Sequence, residues 1–218
     1  MIALISKHRF LISIFLLFIF YGVGVWGIAF GDNPAQFILL TPLNLMITVS
    51  IVLANHSNWN SKVVIIFSSV AILGFIIEMI GVNTGMLFGE YTYGKTLGWG
   101  ILNTPFMIGI NWLILVYGTS NLVLTLFSTK NVLFLSIISA TIMVSLDYLI
   151  EPVAIQLDMW SWADVVIPTQ NYIAWWFLAL GLNFMIIKTI IQTQLNNVAS
   201  VALGIQFLFF ILLNILLL

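Results

Sequence analysis

Three carboxylic acids stand in stretches that are otherwise apolar: Glu78, and the pair Asp147 and Glu151, four residues apart. A carboxylate at hydrocarbon depth is expensive to keep, so it is a functional suspect by default. Only 7 of the 218 residues are acidic, which makes three in such settings a large share. Residues i and i+4 share a helix face, so Asp147 and Glu151 point the same way. Pro152 follows at once and is expected to close their helix, leaving the pair near its C-terminal end. Like charge and the helix dipole both act against two adjacent anions there, which makes proton donation more natural than metal binding.

Composition narrows the setting in which these acids work. The chain is 62% hydrophobic and 6% charged, with a mean hydropathy of +1.17. Ordinary soluble domains carry about 25% charged residues, so this composition reads as an integral membrane protein. There is no cysteine, and His8 and His56 are the two histidines. Disulfides, thiol nucleophiles and His-rich metal centres are thereby excluded. No glycine-rich phosphate loop or dinucleotide fingerprint is present, and a net charge of -1 gives no sign of nucleic-acid binding. The chemistry falls to carboxylates, amides, aromatics and water.

The elements that must position the acids are seven apolar stretches, each close to the ~20 residues needed to cross a bilayer: 10–30, 36–54, 63–82, 104–127, 132–150, 171–187 and 198–217. Lys7 and Arg9 precede the first, whose length suits an uncleaved span better than a signal peptide. With Lys62, Lys130 and Lys188 they fall on one side, which holds five of the six basic residues and reads as cytoplasmic. The N-terminus is therefore expected inside, in a single helical domain of residues 1–218. The outer side receives two long connections, 83–103 and 151–170, rich in Gly, Trp and Tyr. They are expected to cap the outer mouth of the bundle, partly as helices lying in the interface.

Glu78 lies about one turn, ~5 Å, below the outer end of the third stretch. Trp99, Trp160, Trp162, Trp175, Trp176, Tyr91, Tyr93 and Tyr172 gather on the same side. An interfacial aromatic belt accounts for most of them, yet the faces of some could hold a cation or a flat conjugated substrate. Asn111 and Trp112, in the body of the fourth stretch, are better pocket candidates, because a belt does not explain a buried amide. Glu90, Asp158 and Asp164 read as solvated loop charges, and Lys95 as the nearest basic partner for an outer carboxylate.

The run Glu78-x-x-Gly81-x-x-Thr84-Gly85-x-x-Phe88-Gly89-x-Tyr91-x-Tyr93 resembles the signature of the membrane carotenoid hydratase family, which takes in the carotenoid 1,2-hydratases and the bisanhydrobacterioruberin hydratases. The likeness continues through Leu97-Gly98, Pro105, Asn111-Trp112 and Tyr117. It resumes at Asp147 with Pro152, Trp160-x-Trp162 and Asn171-Tyr172 with Trp175, covering roughly the middle half of the chain. Ile167-Pro168-Thr169-Gln170 departs from the Gly-Val-Pro type of turn common there. The resemblance implies hydration of the terminal isopropylidene double bond of an acyclic carotenoid end of lycopene, gamma-carotene or bacterioruberin-precursor type, with no redox change, no cofactor and no metal. The acids suit that reaction as its catalytic residues: Asp147 or Glu78 would donate the proton, the other would position water, and Glu151 would tune the pair. Asn111, Trp112, Tyr91, Tyr93, Trp160, Asn171 and Trp175 would bind substrate. The expected partners are the polyene, the bilayer of a prokaryotic cell membrane and other enzymes of carotenoid biosynthesis.

A membrane lycopene cyclase is the nearest rival, since it too begins by protonating an alkene. A transporter or proton channel would need polar residues across the whole bilayer, whereas these acids cluster towards one side. A retinal receptor would need a Schiff-base lysine in the last stretch, and 198–217 contains none.

Overall fold

The computed structural model describes residues 2–164, 166–192 and 195–218, with no account of the side chains of residues 2–7, so that of Lys7 lies outside it. The helices are α1 (Ile2–Phe30), a short α2 (Pro34–Ile38), α3 (Thr41–Ala54), α4 (Ser61–Thr84), α5 (Met107–Leu126), α6 (Val132–Gln156), α7 (Thr169–Ile190) and α8 (Asn197–Leu217). Counting α2 with α3, seven are long and apolar enough to cross a membrane. Long apolar side chains such as Phe15, Ile65, Phe177 and Ile215 are exposed, as a lipid-facing surface requires.

The helix starts are written in asparagine. Asn60, Asn131 and Asn196 each stand one residue before a helix, and their side-chain oxygens accept from Val63, Phe134 and Val198 backbone N–H groups. Each cap satisfies a donor that the first helical turn leaves free. α4 ends at Gly85, whose φ of 65° suits a residue without Cβ and whose N–H closes on the Gly81 carbonyl at 2.8 Å.

α5 is the innermost helix. Of its most apolar window 72% is buried, against 17% to 44% for the other spans, and it packs against α3, α4, α6, α7 and α8. Two of its hydroxyls are satisfied within the bundle: Thr119 and Ser120 both donate to the Asn183 amide oxygen, at 3.0 and 2.8 Å.

Two features differ from the sequence-based expectation. α6 does not stop at Pro152 but runs on to Gln156. The proline removes one helical hydrogen bond, and Asn214 of α8 donates to the adjacent Leu149 carbonyl at 2.8 Å, tying α8 to the weakened turn. Asp147 and Glu151 are thus within α6, about 13 and 7 Å from its end at 1.5 Å per residue, and the dipole argument weakens accordingly.

The second difference concerns the long connections, which contain no interfacial helix among the described residues. They carry strands instead: β1 (Tyr91–Tyr93), β2 (Gly100–Ile101), β3 (Thr104–Pro105) and β4 (Trp160–Trp162). β2 and β3 form a small hairpin, while β1 pairs antiparallel with β4 in the register Tyr91↔Trp162, Thr92↔Ser161, Tyr93↔Trp160. The two long loops are therefore stitched to each other. Successive strand residues face opposite ways, so the four aromatics share one face and Thr92 and Ser161 the other.

Candidate active site

The strand pair lies over a cavity lined from α1, α3, α4, α5, α6, α7, α8 and both loops, with about 100 Å³ for the centres of water-sized molecules. A single water needs roughly 10–15 Å³ on that measure, so there is room for several or for a small hydrocarbon end. All ten residues singled out from the sequence line it: Glu78, Asp147, Glu151, Asn111, Trp112, Tyr91, Tyr93, Trp160, Asn171 and Trp175. Of the solvated loop charges, Glu90, Asp158 and Asp164 are exposed, and so is Lys95.

Glu78, Asp147 and Glu151 are each 2% exposed, but they are held very differently. Glu78 takes three donors. Tyr91 and Tyr93 hydroxyls reach Oε2 at 2.7 and 3.0 Å, and the Trp112 indole N–H reaches Oε1 at 3.1 Å. Gly74 makes the last contact possible: a Cβ there would lie 2.6 Å from Trp112 Cγ, so only glycine lets the indole lie this close to α4. Burial and the adjacent Glu78 carboxylate raise both phenols above the ordinary tyrosine range. They therefore remain O–H donors.

Glu151 also takes three donors. The Trp160 and Trp162 indoles both donate to Oε2 at 2.9 Å, and the Asn171 amide donates to Oε1 at 3.3 Å. The alternation of β4 puts both indoles on the carboxyl, which explains why Trp-Ser-Trp rather than Trp-Trp serves here. Asp147 has one donor, the Asn171 amide at 3.2 Å to Oδ2. Asn171 thus bridges the two acids of α6.

Aromatic faces complete the walls. Trp112 and Trp175 lie 4.2 Å apart between ring centres with planes tilted by 31°, and Tyr91 and Trp162 lie 5.0 Å apart. Such a lining suits a flat conjugated or cationic group. Among the described residues, no three His, Cys, Asp or Glu converge to hold a metal ion.

Sequence reading missed part of the lining. Trp162, part of the Trp160-x-Trp162 motif but not among the expected substrate-binding residues, lines the cavity too. Tyr21, Asn44 and Gln206 also face this space; amides inside apolar helices were the signal for the last two.

Residues 37–218 match the family described as carotenoid biosynthesis protein, and the chain belongs to it. The chain is similar to the bisanhydrobacterioruberin hydratase of Haloarcula japonica, with 33% identity over 107 residues. That stretch is 45% of this chain and 36% of the relative, so the chain matches little more than a third of that protein's length. No solved structure matches the chain. The protein is a membrane member of the carotenoid biosynthesis family, distantly related to a carotenoid hydratase.

Proposed function

We propose that the protein is a cofactor-independent hydratase, adding water to the terminal isopropylidene double bond of an acyclic carotenoid end-group. The observation that carries this reading is the unequal hydrogen bonding of three carboxyls around one aromatic cavity. Glu78 and Glu151 each take three donors, an arrangement suited to acceptor-only carboxylates. Asp147 has a single donor and is the group best placed to carry a transferable proton.

In the proposed reaction Asp147 protonates the less substituted alkene carbon, leaving a tertiary cation. The Glu78 carboxylate and the faces of Trp112 and Trp175 stabilise that charge. A water oxygen then bonds to the cationic carbon, and its surplus proton passes to the Asp147 carboxylate, directly or through a neighbouring carboxyl, restoring the acid. Asn111 orients the water or the new hydroxyl, and Asn171 fixes Asp147 relative to Glu151. Alkene plus water gives a tertiary alcohol, with no change of redox state.

The setting fits a lipophilic substrate. With the basic residues inside, the cavity opens under the outer loops of a prokaryotic cytoplasmic membrane, where a polyene dissolved in the bilayer meets water. Expression in cells that accumulate lycopene or another acyclic carotene tests the reading. A pigment heavier by one or two waters supports it, whereas an isomer of unchanged mass points to a cyclase. Unchanged pigment, with the protein intact in the membrane, contradicts it for that substrate.

A further inference from the structure

The cavity has a second polar wall that the proposed reaction does not use. Tyr21 of α1, Asn44 of α3 and Gln206 of α8 line it, on helices that carry none of the three acids. Gln206 is 3% exposed, and its amide oxygen is sealed from solvent without a hydrogen-bond partner. The Asn44 amide oxygen is in the same condition. Gln206 stands ten residues into the 21-residue α8, near the middle of its span. A buried polar group without a partner is costly, and most so where no solvent can reach it. Two such groups beside one cavity ask for a common explanation.

Neither packing nor helix capping supplies it. Amides within apolar spans usually bond to a neighbouring helix, as Asn183 does with Thr119 and Ser120. Here the Gln206 side chain hydrogen-bonds the Tyr21 hydroxyl, which also accepts from the Thr48 hydroxyl at 3.3 Å, and the Gln206 amide oxygen is still left over. Its own proton is therefore free to donate. The wall thus offers two unmatched acceptors and one donor, and no charged side chain. That set matches a water molecule: its two O–H groups donate to the two amide oxygens, and one of its lone pairs accepts from the phenol. The terminal torsions of Asn and Gln are soft, so a small turn brings either oxygen to the cavity surface.

We propose that Asn44, Gln206 and Tyr21 form a hydroxyl subsite that holds the water consumed in the reaction. The proposal rests on the hydratase reading and deepens it. Proton donation belongs to the carboxyl wall, and water supply to the amide wall. A water held by acceptors keeps an oxygen lone pair for the electrophile, and the same contacts receive that oxygen as the alcohol of the product.

The test separates protonation from water capture. Membranes carrying the full chain are incubated with the acyclic carotene in D2O containing 18O. Deuterium in recovered alkene reports protonation followed by proton loss, and 18O in the alcohol reports capture. Gln206→Met, close in length but without the amide, and Asn44→Leu are compared with the unaltered protein. The expected result is an 18O yield lower by about tenfold or more, the scale of one lost hydrogen bond, with deuterium still entering the recovered alkene. Retained deuterium also shows that the variant is folded and binds substrate. Unchanged 18O yield in both variants overturns the proposal, as does a parallel loss of both labels. If the unaltered protein incorporates neither label, the hydratase reading itself fails, a result distinct from failure of the subsite. Adding the tertiary alcohol at the start separates the two sources of hydroxyl. Weaker inhibition by alcohol with full 18O yield would assign the wall to product rather than to water and overturn the proposal.

Discussion

Two buried polar clusters occupy opposite ends of the bundle, and they are built for different ends. At the long-loop end, Glu78, Asp147 and Glu151 line an open cavity with aromatic walls. At the short-loop end, His56 Nδ1 lies 2.6 Å from the Tyr117 hydroxyl, with Trp59 and Phe67 packed edge-on to the imidazole. Asn196 there is buried: its backbone N–H donates to the Asn121 amide oxygen and its amide to the Val52 carbonyl, both at 2.8 Å. Asn121 in turn donates to the Tyr117 carbonyl. This second cluster joins the end of α3, the second half of α5 and the start of α8, without any of its four polar members lining the cavity. Burial of polar groups therefore does not by itself mark chemistry. The proposed chemistry rests instead on empty space beside an acid with few donors.

The largest effect that would sharpen this comparison comes from Asp147→Asn. It removes the proposed proton donor at nearly constant volume and should lower hydration by about 10²–10⁴-fold, with the protein still accumulating in the membrane; pigment masses and immunodetection report the two. Glu78→Gln comes next. It removes the charge that faces the cation while leaving an amide oxygen for some of the three donors, and about 10²-fold loss of turnover is expected. A smaller effect should follow Gly74→Ala, whose added methyl meets Trp112 Cγ at 2.6 Å. Displacing that indole from Glu78 should lower turnover by about tenfold, the scale of one hydrogen bond to a charged group, and the Trp fluorescence should shift.

At the other end the outcome should be reversed. Asn196→Ala removes a cap and a cross-helix bond and should lower stability by about 1–3 kcal/mol, with turnover per folded molecule unchanged. Thermal unfolding in detergent beside a turnover assay checks it; loss of turnover at full stability would break the contrast. The smallest effect concerns pH. Burial lowers the His56 pKa below its ordinary 6.5, so the unfolded chain binds the proton more readily than the folded one. Stability should then fall as pH drops below about 6.5, and His56→Gln should flatten that slope.

Much of the architecture was legible in the sequence because lipid imposes a simple length rule on apolar helices. Seven runs of about twenty residues could be read directly, with ends wrong by a few positions. The acids were legible for the same reason, since Glu78 and Asp147 stand out against an apolar background. Pairing of the long loops was not. Tyr-Thr-Tyr and Trp-Ser-Trp do alternate, but each strand is three residues long and its partner lies 69 residues away, as Thr92 and Ser161 show. So short an alternation cannot be told from a loop. Continuation of α6 past Pro152 depends on its setting against α8, where Asn214 meets Leu149, a tertiary contact that no local pattern encodes. Gln206 and Asn44 left a signal, an amide in an apolar helix, but their convergence with Tyr21 on one wall is visible only in three dimensions.

The central claim is that Asp147 delivers the proton, and solvent deuterium tests it most directly. Membranes carrying the unaltered protein, Asp147→Asn or Glu78→Gln are incubated with an acyclic carotene in D2O, and deuterium is measured at the terminal carbons of recovered alkene and alcohol. The account expects labelling by the unaltered protein, reduced but detectable labelling by Glu78→Gln, and none by Asp147→Asn. Labelling by Asp147→Asn at the unaltered level would contradict it and move the proton to another acid of the site.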